Sequence, residues 1–149
     1  MQGRYRAVLF DLFGTLVNER GEAIAGASKL LRELPVDRWA IVTSCGRSLA
    51  SALISGAGFP TPSCVVTADD VARGKPAPDG YLLAAQRLRI PAADCIVVED
   101  SEQGIAAGIS AGMNVIAISR SHQHRNVRYV EHLGDITFEV GADGGVMVG

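Results

Sequence analysis

Phe10-Asp11-Leu12-Phe13-Gly14-Thr15-Leu16 is an apolar run that reaches an aspartate and then breaks into a Gly-Thr turn. Read as a strand followed by a turn, it sets the Asp11 carboxylate at the carboxyl end of the strand, the edge where open α/β sheets bind ligands. The strand itself, Ala7-Val8-Leu9-Phe10, is followed along the chain by Trp39-Ala40-Ile41-Val42-Thr43, Cys64-Val65-Val66, Cys95-Ile96-Val97-Val98 and Val115-Ile116-Ala117-Ile118. Runs this continuously apolar are buried on both faces, which is the property of a parallel sheet.

The segments between these runs have helical period. Ile24, Ala27, Leu30, Leu31 and Leu34 recur at three- and four-residue spacing, and Pro35 ends the pattern by denying its predecessor the helical conformation. Further helices are predicted over 47–55, 79–88 and 102–111, with Pro78 at or near the first turn of the second of these, where a missing N–H costs nothing. Strands and helices in alternation, joined by short connections, predict an α/β, doubly wound (Rossmann-like) parallel sheet formed as one domain, 1–149. The tail breaks the rhythm. Ile136-Thr137-Phe138-Glu139-Val140 and Val146-Met147-Val148 flank Gly141-Ala142-Asp143-Gly144-Gly145, a turn signal that predicts a C-terminal antiparallel hairpin. The polar, basic stretch 119–128 is predicted to be a mobile loop.

Composition narrows the function classes. The chain has 149 residues, 48% apolar and 20% charged, with a formal charge of −2 and no basic stripe, so nucleic acid is not an expected partner. No apolar run reaches the roughly 18 to 20 residues of a bilayer span, and the amino terminus lacks the layout of a signal peptide, so no membrane is expected and the cytoplasm is the expected compartment. Cys45, Cys64 and Cys95 are odd in number and widely spaced, hence expected reduced and mostly core-facing. Gly104, Gly108 and Gly112 have Gly-x-x-x-Gly spacing, which among Glu102, Gln103 and Asn114 reads as a soluble helix packed closely on the sheet. His122, His124 and His132 have no companion ligands at metal spacing and are expected at the surface.

Four strand ends carry polar groups suited to chemistry: Asp11, Thr43, Lys75 just before Pro76, and the pair Glu99-Asp100. In a parallel sheet Asp11, Thr43 and Glu99-Asp100 converge on one edge, and Lys75 can reach in from the loop before its helix. Taken singly, each has a plainer reading. Asp11 before Gly-Thr is a turn-former, Lys75 a solvated loop charge, Thr43 a β-branched strand end, Glu99-Asp100 an acidic pair at a helix start, and Cys45 a structural thiol.

Together, Asp-Leu-Phe-Gly-Thr-Leu, Ala-Ile-Val-Thr-Ser, Gly-Lys-Pro-Ala-Pro-Asp-Gly-Tyr and Val-Val-Glu-Asp-Ser-Glu-Gln-Gly-Ile resemble the motifs of the haloacid dehalogenase (HAD) superfamily over nearly the whole chain. Between Trp39 and Ile118 the wording resembles bacterial sugar-phosphate phosphatases of the hexitol phosphatase and β-phosphoglucomutase kind. The resemblance implies a HAD-like core and a phosphomonoester phosphatase in which Asp11 is the nucleophile and forms an aspartyl-phosphate. It implies Mg²⁺ held by Asp11, the main-chain carbonyl of Phe13 and Asp100, with Glu99 a weaker ligand. A phosphate monoester is a dianion, so attack by a carboxylate needs such a cation to screen the repulsion. Lys75 would neutralise phosphoryl oxygens, and Thr43 would donate its hydroxyl beside main-chain amides around Leu12 and Ser44.

Two departures qualify these roles. The family's phosphatases carry a second aspartate two places after the first, and here Phe13 stands there with no proton to give or take. The resembling sugar phosphatases insert a helical cap domain after the first motif, whereas here only Val17-Asn18-Glu19-Arg20-Gly21-Glu22-Ala23 precedes the next helix. A cap is therefore expected to be absent, and the open site would take a small sugar or acyl phosphate, a larger substrate, or be covered by another subunit in a homo-oligomer. Phe13 keeps two other functions open. One is a haloacid dehalogenase-like hydrolase, whose halide leaves without a proton; the other is a catalytically silent scaffold that binds phosphate or a protein.

Overall fold

A computed structural model describes residues 3–121 and 124–149; His122 lies outside the described residues. In chain order the elements are β1 (Gly3–Tyr5), β2 (Ala7–Phe10), α1 (Ala27–Glu33), β3 (Trp39–Val42), α2 (Arg47–Gly56), β4 (Val65–Val66), α3 (Asp79–Leu88), β5 (Cys95–Glu99), α4 (Glu102–Ser110), β6 (Asn114–Ile118), β7 (Arg128–Val130), β8 (Phe138–Val140) and β9 (Val146–Val148). Six strands form a sheet in the order β4-β3-β2-β5-β6-β7, and every neighbouring pair is parallel. The chain moves outward from β2 through β3 to β4 and then returns to the other side of β2 for β5. Strand order reverses at that junction, so a crevice opens at the carboxyl ends of β2 and β5.

Alternate residues of the central strands supply two cores. Val8, Phe10, Ile41, Ile96, Val98 and Ile116 face one side with Leu30 and Leu31 of α1 and Ala50 and Ile54 of α2. Ala7, Leu9, Ala40, Val42, Val97, Val115 and Ala117 face the other, with Tyr81, Ala84 and Ala85 of α3 and Ile105 and Ala107 of α4. Each large side chain so buried contributes roughly 1.5–3 kcal/mol, which is what holds the unbroken apolar strands inside. Phe10 meets Trp39 edge-on at 6.4 Å and Phe138 at 6.3 Å, so the tail seals the first core.

The second face packs helices closely on the sheet. A Cβ on Gly108 would stand 2.8 Å from Val115 Cγ2, and one on Gly80 would stand 3.0 Å from Val42 Cγ1. Close packing thus accounts for Gly104 and Gly108, whereas Gly112 lies beyond the end of α4 with φ +77° and open space around it.

The tail hairpin is present, and its ladder is longer than the two strands alone. Thr137 and Gly149 exchange N–H···O bonds of 3.1 and 2.9 Å, and β1 adds to β9 to make a three-stranded antiparallel sheet, β1-β9-β8. Two expectations are corrected. The periodic segment from Ile24 becomes helical only at Ala27, because Gly26 has φ +92° and a Cβ there would stand 3.0 Å from Gly134 Cα. The stretch 119–128 does not end as a loop, since Arg128 begins β7 and pairs with Ile116 of β6. Pro35 acts as predicted: Leu34 before it is extended, with φ −97° and ψ 140°.

Candidate active site

Asp11 follows β2 directly, and its N–H continues the ladder by donating to Val98 C=O at 3.1 Å. Beyond it the chain turns tightly, the Leu12 carbonyl accepting from Leu16 N–H (2.9 Å) and Val17 N–H (3.1 Å). The turn needs Gly14. Its φ is +91°, and a Cβ there would stand 2.2 Å from Asp100 Oδ2, so glycine is what lets the Asp100 carboxylate come this close. The Thr15 hydroxyl lies 3.1 Å from Asp11 Oδ2 and 3.0 Å from Asp100 Oδ1, joining the two carboxylates through one proton.

Lys75 enters from the loop before α3 and spends all three ammonium donors. They reach Asp11 Oδ1 at 2.7 Å, Val42 C=O at 3.0 Å and Glu99 Oε2 at 2.6 Å. Glu99 is fully buried. Its Oε2 also accepts from Tyr81 OH at 2.7 Å, and its Oε1 accepts from Asp100 N–H (3.1 Å), Ser101 N–H (3.3 Å) and Ser101 Oγ (3.3 Å). A buried carboxylate is tolerated only when its lone pairs are taken in this way. The backbone makes room for it, because a Cβ on Gly104 would stand 1.9 Å from Glu99 Cδ.

Electrostatically, three carboxylates face one ammonium. Burial, opposed by Lys75 and reinforced by Asp100, pushes the Asp11 carboxyl up to about 6. Burial and the charge of Asp11 likewise raise Glu99. For Lys75 burial pulls downward, yet Asp11 and Glu99 outweigh it and hold the ammonium above its ordinary value. Burial together with the Glu99 and Asp11 charges keeps the Tyr81 phenol protonated, its pKa raised well above the usual value. Asp11, Glu99 and Asp100 each offer an oxygen, all within 4.8 Å of one another. Hard oxygen donors with an excess of negative charge suit a small divalent cation.

The site opens into a cleft of about 500 Å³ lined by Asp11, Phe13, Thr43, Ser44, Cys45, Lys75, Ser101 and Gln103. Thr43 continues from β3, and its Oγ1 accepts from Cys45 N–H at 3.1 Å, leaving the hydroxyl hydrogen for another acceptor. The structure therefore brings Asp11, Thr43, Ser44 and Lys75 to one cleft, with Asp100 joined to Asp11 through Thr15 and Glu99 behind Lys75. Sequence reading missed Thr15, Tyr81, Ser101 and Gln103. All four stood inside the quoted motifs, so position could have flagged them, but nothing local showed what they touch.

Cys45 lines the cleft, while Cys64 and Cys95 are buried; all three are free. Burial raises the thiols of Cys64 and Cys95, the latter to about 11. His124 Nε2 lies 2.6 Å from Glu102 Oε1, and His132 is exposed. Among the described residues neither histidine joins a metal-binding cluster.

A parallel sheet with a reversal of strand order, a carboxylate at the reversal and a lysine bonded to it define a doubly wound α/β protein with its ligand site at the switch point. The chain belongs to the haloacid dehalogenase-like hydrolases, whose family model matches residues 19–112. It is 46% identical over 99 residues to hexitol phosphatase A of Escherichia coli, covering 65% of this chain and 46% of that protein. With glycerol-1-phosphate phosphohydrolase 2 of Saccharomyces cerevisiae it shares 36% identity over 111 residues, 68% of this chain and 44% of the other. The chain thus spans under half the length of these two relatives. Its fold is that of CbbY from Rhodobacter sphaeroides, solved in complex with phosphate, with TM-score 0.75 at 18% identity over 88% of this chain and 96% of that one.

Proposed function

We propose that the chain is a Mg²⁺-dependent phosphomonoester phosphatase acting through an aspartyl-phosphate on Asp11. The observation that carries this reading is the meeting of Asp11, Lys75, Glu99 and Asp100 at the sheet's strand-order reversal. Asp11, Asp100 and the main-chain carbonyl of Phe13 would hold the ion, which when bound screens the substrate's charge from the attacking carboxylate. Glu99 enters mainly as the anchor of Lys75, because both of its oxygens are already engaged.

Asp11 Oδ forms a bond to phosphorus as the bond to the leaving oxygen breaks and its electron pair departs with that oxygen. Water then attacks the phosphorus, the Asp11–phosphorus bond breaks, and the water's proton passes to solvent. Lys75 holds Asp11 in position and neutralises phosphoryl oxygens, while Thr43 and Ser44 donate to them. Phe13 supplies no general acid or base, a role commonly worth about 10² to 10⁴ in rate, so alkyl phosphates should be turned over poorly. The same reading takes 1–149 as one HAD-like core domain without a cap, working in the cytoplasm. Its cleft is open to a sugar or acyl phosphate or a larger substrate, or is covered by a second copy of the chain.

Acetyl phosphate hydrolysis with Mg²⁺ and with chelator is the test. Turnover is expected with metal only, and Asp11→Asn is expected to abolish it; equal rates in that variant, or indifference to chelator, would sink the proposal. One observation favours a second reading, a silent phosphate-binding scaffold: Phe13, with no proton to give or take, stands on the cleft wall beside Asp11. A beryllofluoride adduct on Asp11 without turnover would mark that scaffold. Halide release from a short 2-haloacid would mark the dehalogenase reaction.

A further inference from the structure

We propose that Phe13 selects the leaving group, so that the cleft takes an aryl phosphate whose ring is uncharged and lies against the Phe13 side chain. This deepens the phosphotransfer reading and rests on it. Phe10, Leu12 and Leu16 are wholly buried, yet Phe13 among them is 48% exposed and forms part of the cleft wall beside Asp11. A water-facing aromatic next to the reacting carboxylate offers a flat apolar surface where the leaving half of a substrate must lie.

Charge points the same way. Lys75 is the one cation among the described residues lining the cleft, and its donors already serve Asp11, Glu99 and Val42 C=O. Apart from the Asp11 carboxylate, the other polar lining groups, Thr43, Ser44, Ser101 and Gln103, are neutral. A second phosphate or a carboxylate on the leaving half would meet no unengaged side-chain cation among the described lining residues, so a charged leaving half is rejected. Chemistry agrees with both. When Asp11 attacks, the phosphorus–oxygen bond to the ring breaks and its pair leaves as an aryloxide, which needs no proton; Phe13 has none to give.

Kinetics on the full chain with Mg²⁺ test the assignment, using p-nitrophenyl phosphate, 4-carboxyphenyl phosphate and acetyl phosphate. The ratio of kcat/KM for p-nitrophenyl phosphate to that for acetyl phosphate is expected to fall about threefold to tenfold in Phe13→Ala, the range an aromatic pair supplies, and less in Phe13→Leu. The carboxylated ester is expected to have the higher KM in the wild type. Inhibition needs no variant: phenylphosphonate should block acetyl phosphate turnover at about threefold to tenfold lower concentration than methylphosphonate. An unchanged ratio in Phe13→Ala, equal inhibition by the two phosphonates, or preference for the carboxylated ester overturns this assignment. Absence of metal-dependent acetyl phosphate turnover in the wild type overturns the underlying phosphotransfer reading instead.

Discussion

Tyr81 is a fully buried phenol whose hydroxyl donates to a fully buried carboxylate, Glu99, which in turn holds Lys75. The Lys75 ammonium also stands 5.3 Å from the centre of the Tyr81 ring, so the phenol supports it from two directions. Removing the hydroxyl in Tyr81→Phe leaves a lone pair of a buried charge unmet. The variant is expected to lose about 1.5–3 kcal/mol of stability, read as a lower urea midpoint with unchanged slope. The residue types of the site were legible in the chain, since Asp11, Thr43, Lys75 and Asp100 all follow strands or precede helices. The partners of Glu99 were not. The resemblance implied a weaker metal ligand there, and packing adds that Lys75, Tyr81 and two main-chain amides bond to its oxygens.

At the scale of elements, the amino terminus of α2 shows how the loop after β4 braces the cleft. Gly46 precedes α2 without a side chain to cap it, and Asp69 does so from outside the helix by accepting from Arg47 N–H at 2.8 Å. Asp70 beside it accepts from Thr67 N–H (2.8 Å) and pairs with the Arg47 guanidinium. The Thr67 N–H first, then Arg47 against a modest burial cost, hold the Asp70 carboxyl down at about 2, below its ordinary value of 3.8. A lowered folded-state pKa means that this stabilisation is present above about pH 4 and is lost as the pH falls through about 2. Asp70→Asn should therefore melt lower than the wild type at pH 7, by about 1 kcal/mol, with the gap closing on acidification towards pH 2. A gap that does not change with pH would show that the bonds matter but the charge does not. Element boundaries were legible where a breaker marked them, as at Pro35 and Pro78. β1 and β7 went unread because each is three residues long and only partly buried, too short for a period to show.

The whole molecule gathers three carboxylates and one ammonium at the junction of β2 and β5, a surplus of negative charge that folding must overcome. A divalent cation bound there relieves that repulsion in the folded state alone. Mg²⁺ at a hundred times its Kd is thus expected to add about 2.7 kcal/mol and to raise Tm by about 5–10 °C. Asp100→Asn should remove the shift, and an equal shift in that variant would place the ion elsewhere. Calorimetric melts with and without Mg²⁺ read this whether or not the chain turns over substrate.

The sequence by itself determined the doubly buried parallel strands, the helices between them, the tail hairpin and the run of polar strand ends. These depend on local period and local chain stiffness, which a few neighbouring residues carry. Tertiary structure alone decided which of those ends meet: Lys75 reaches Asp11 across 64 residues and Glu99 across 24, while Thr15 reaches Asp100 across 85. Such contacts follow from the order in which strands lie side by side, a property of the assembled sheet that no window of sequence contains. The same assembly turned Phe13 outward. Its type was plain from the chain, but its place on the wall of the cleft, beside the carboxylate it cannot assist with a proton, came from the tertiary arrangement around the turn after β2.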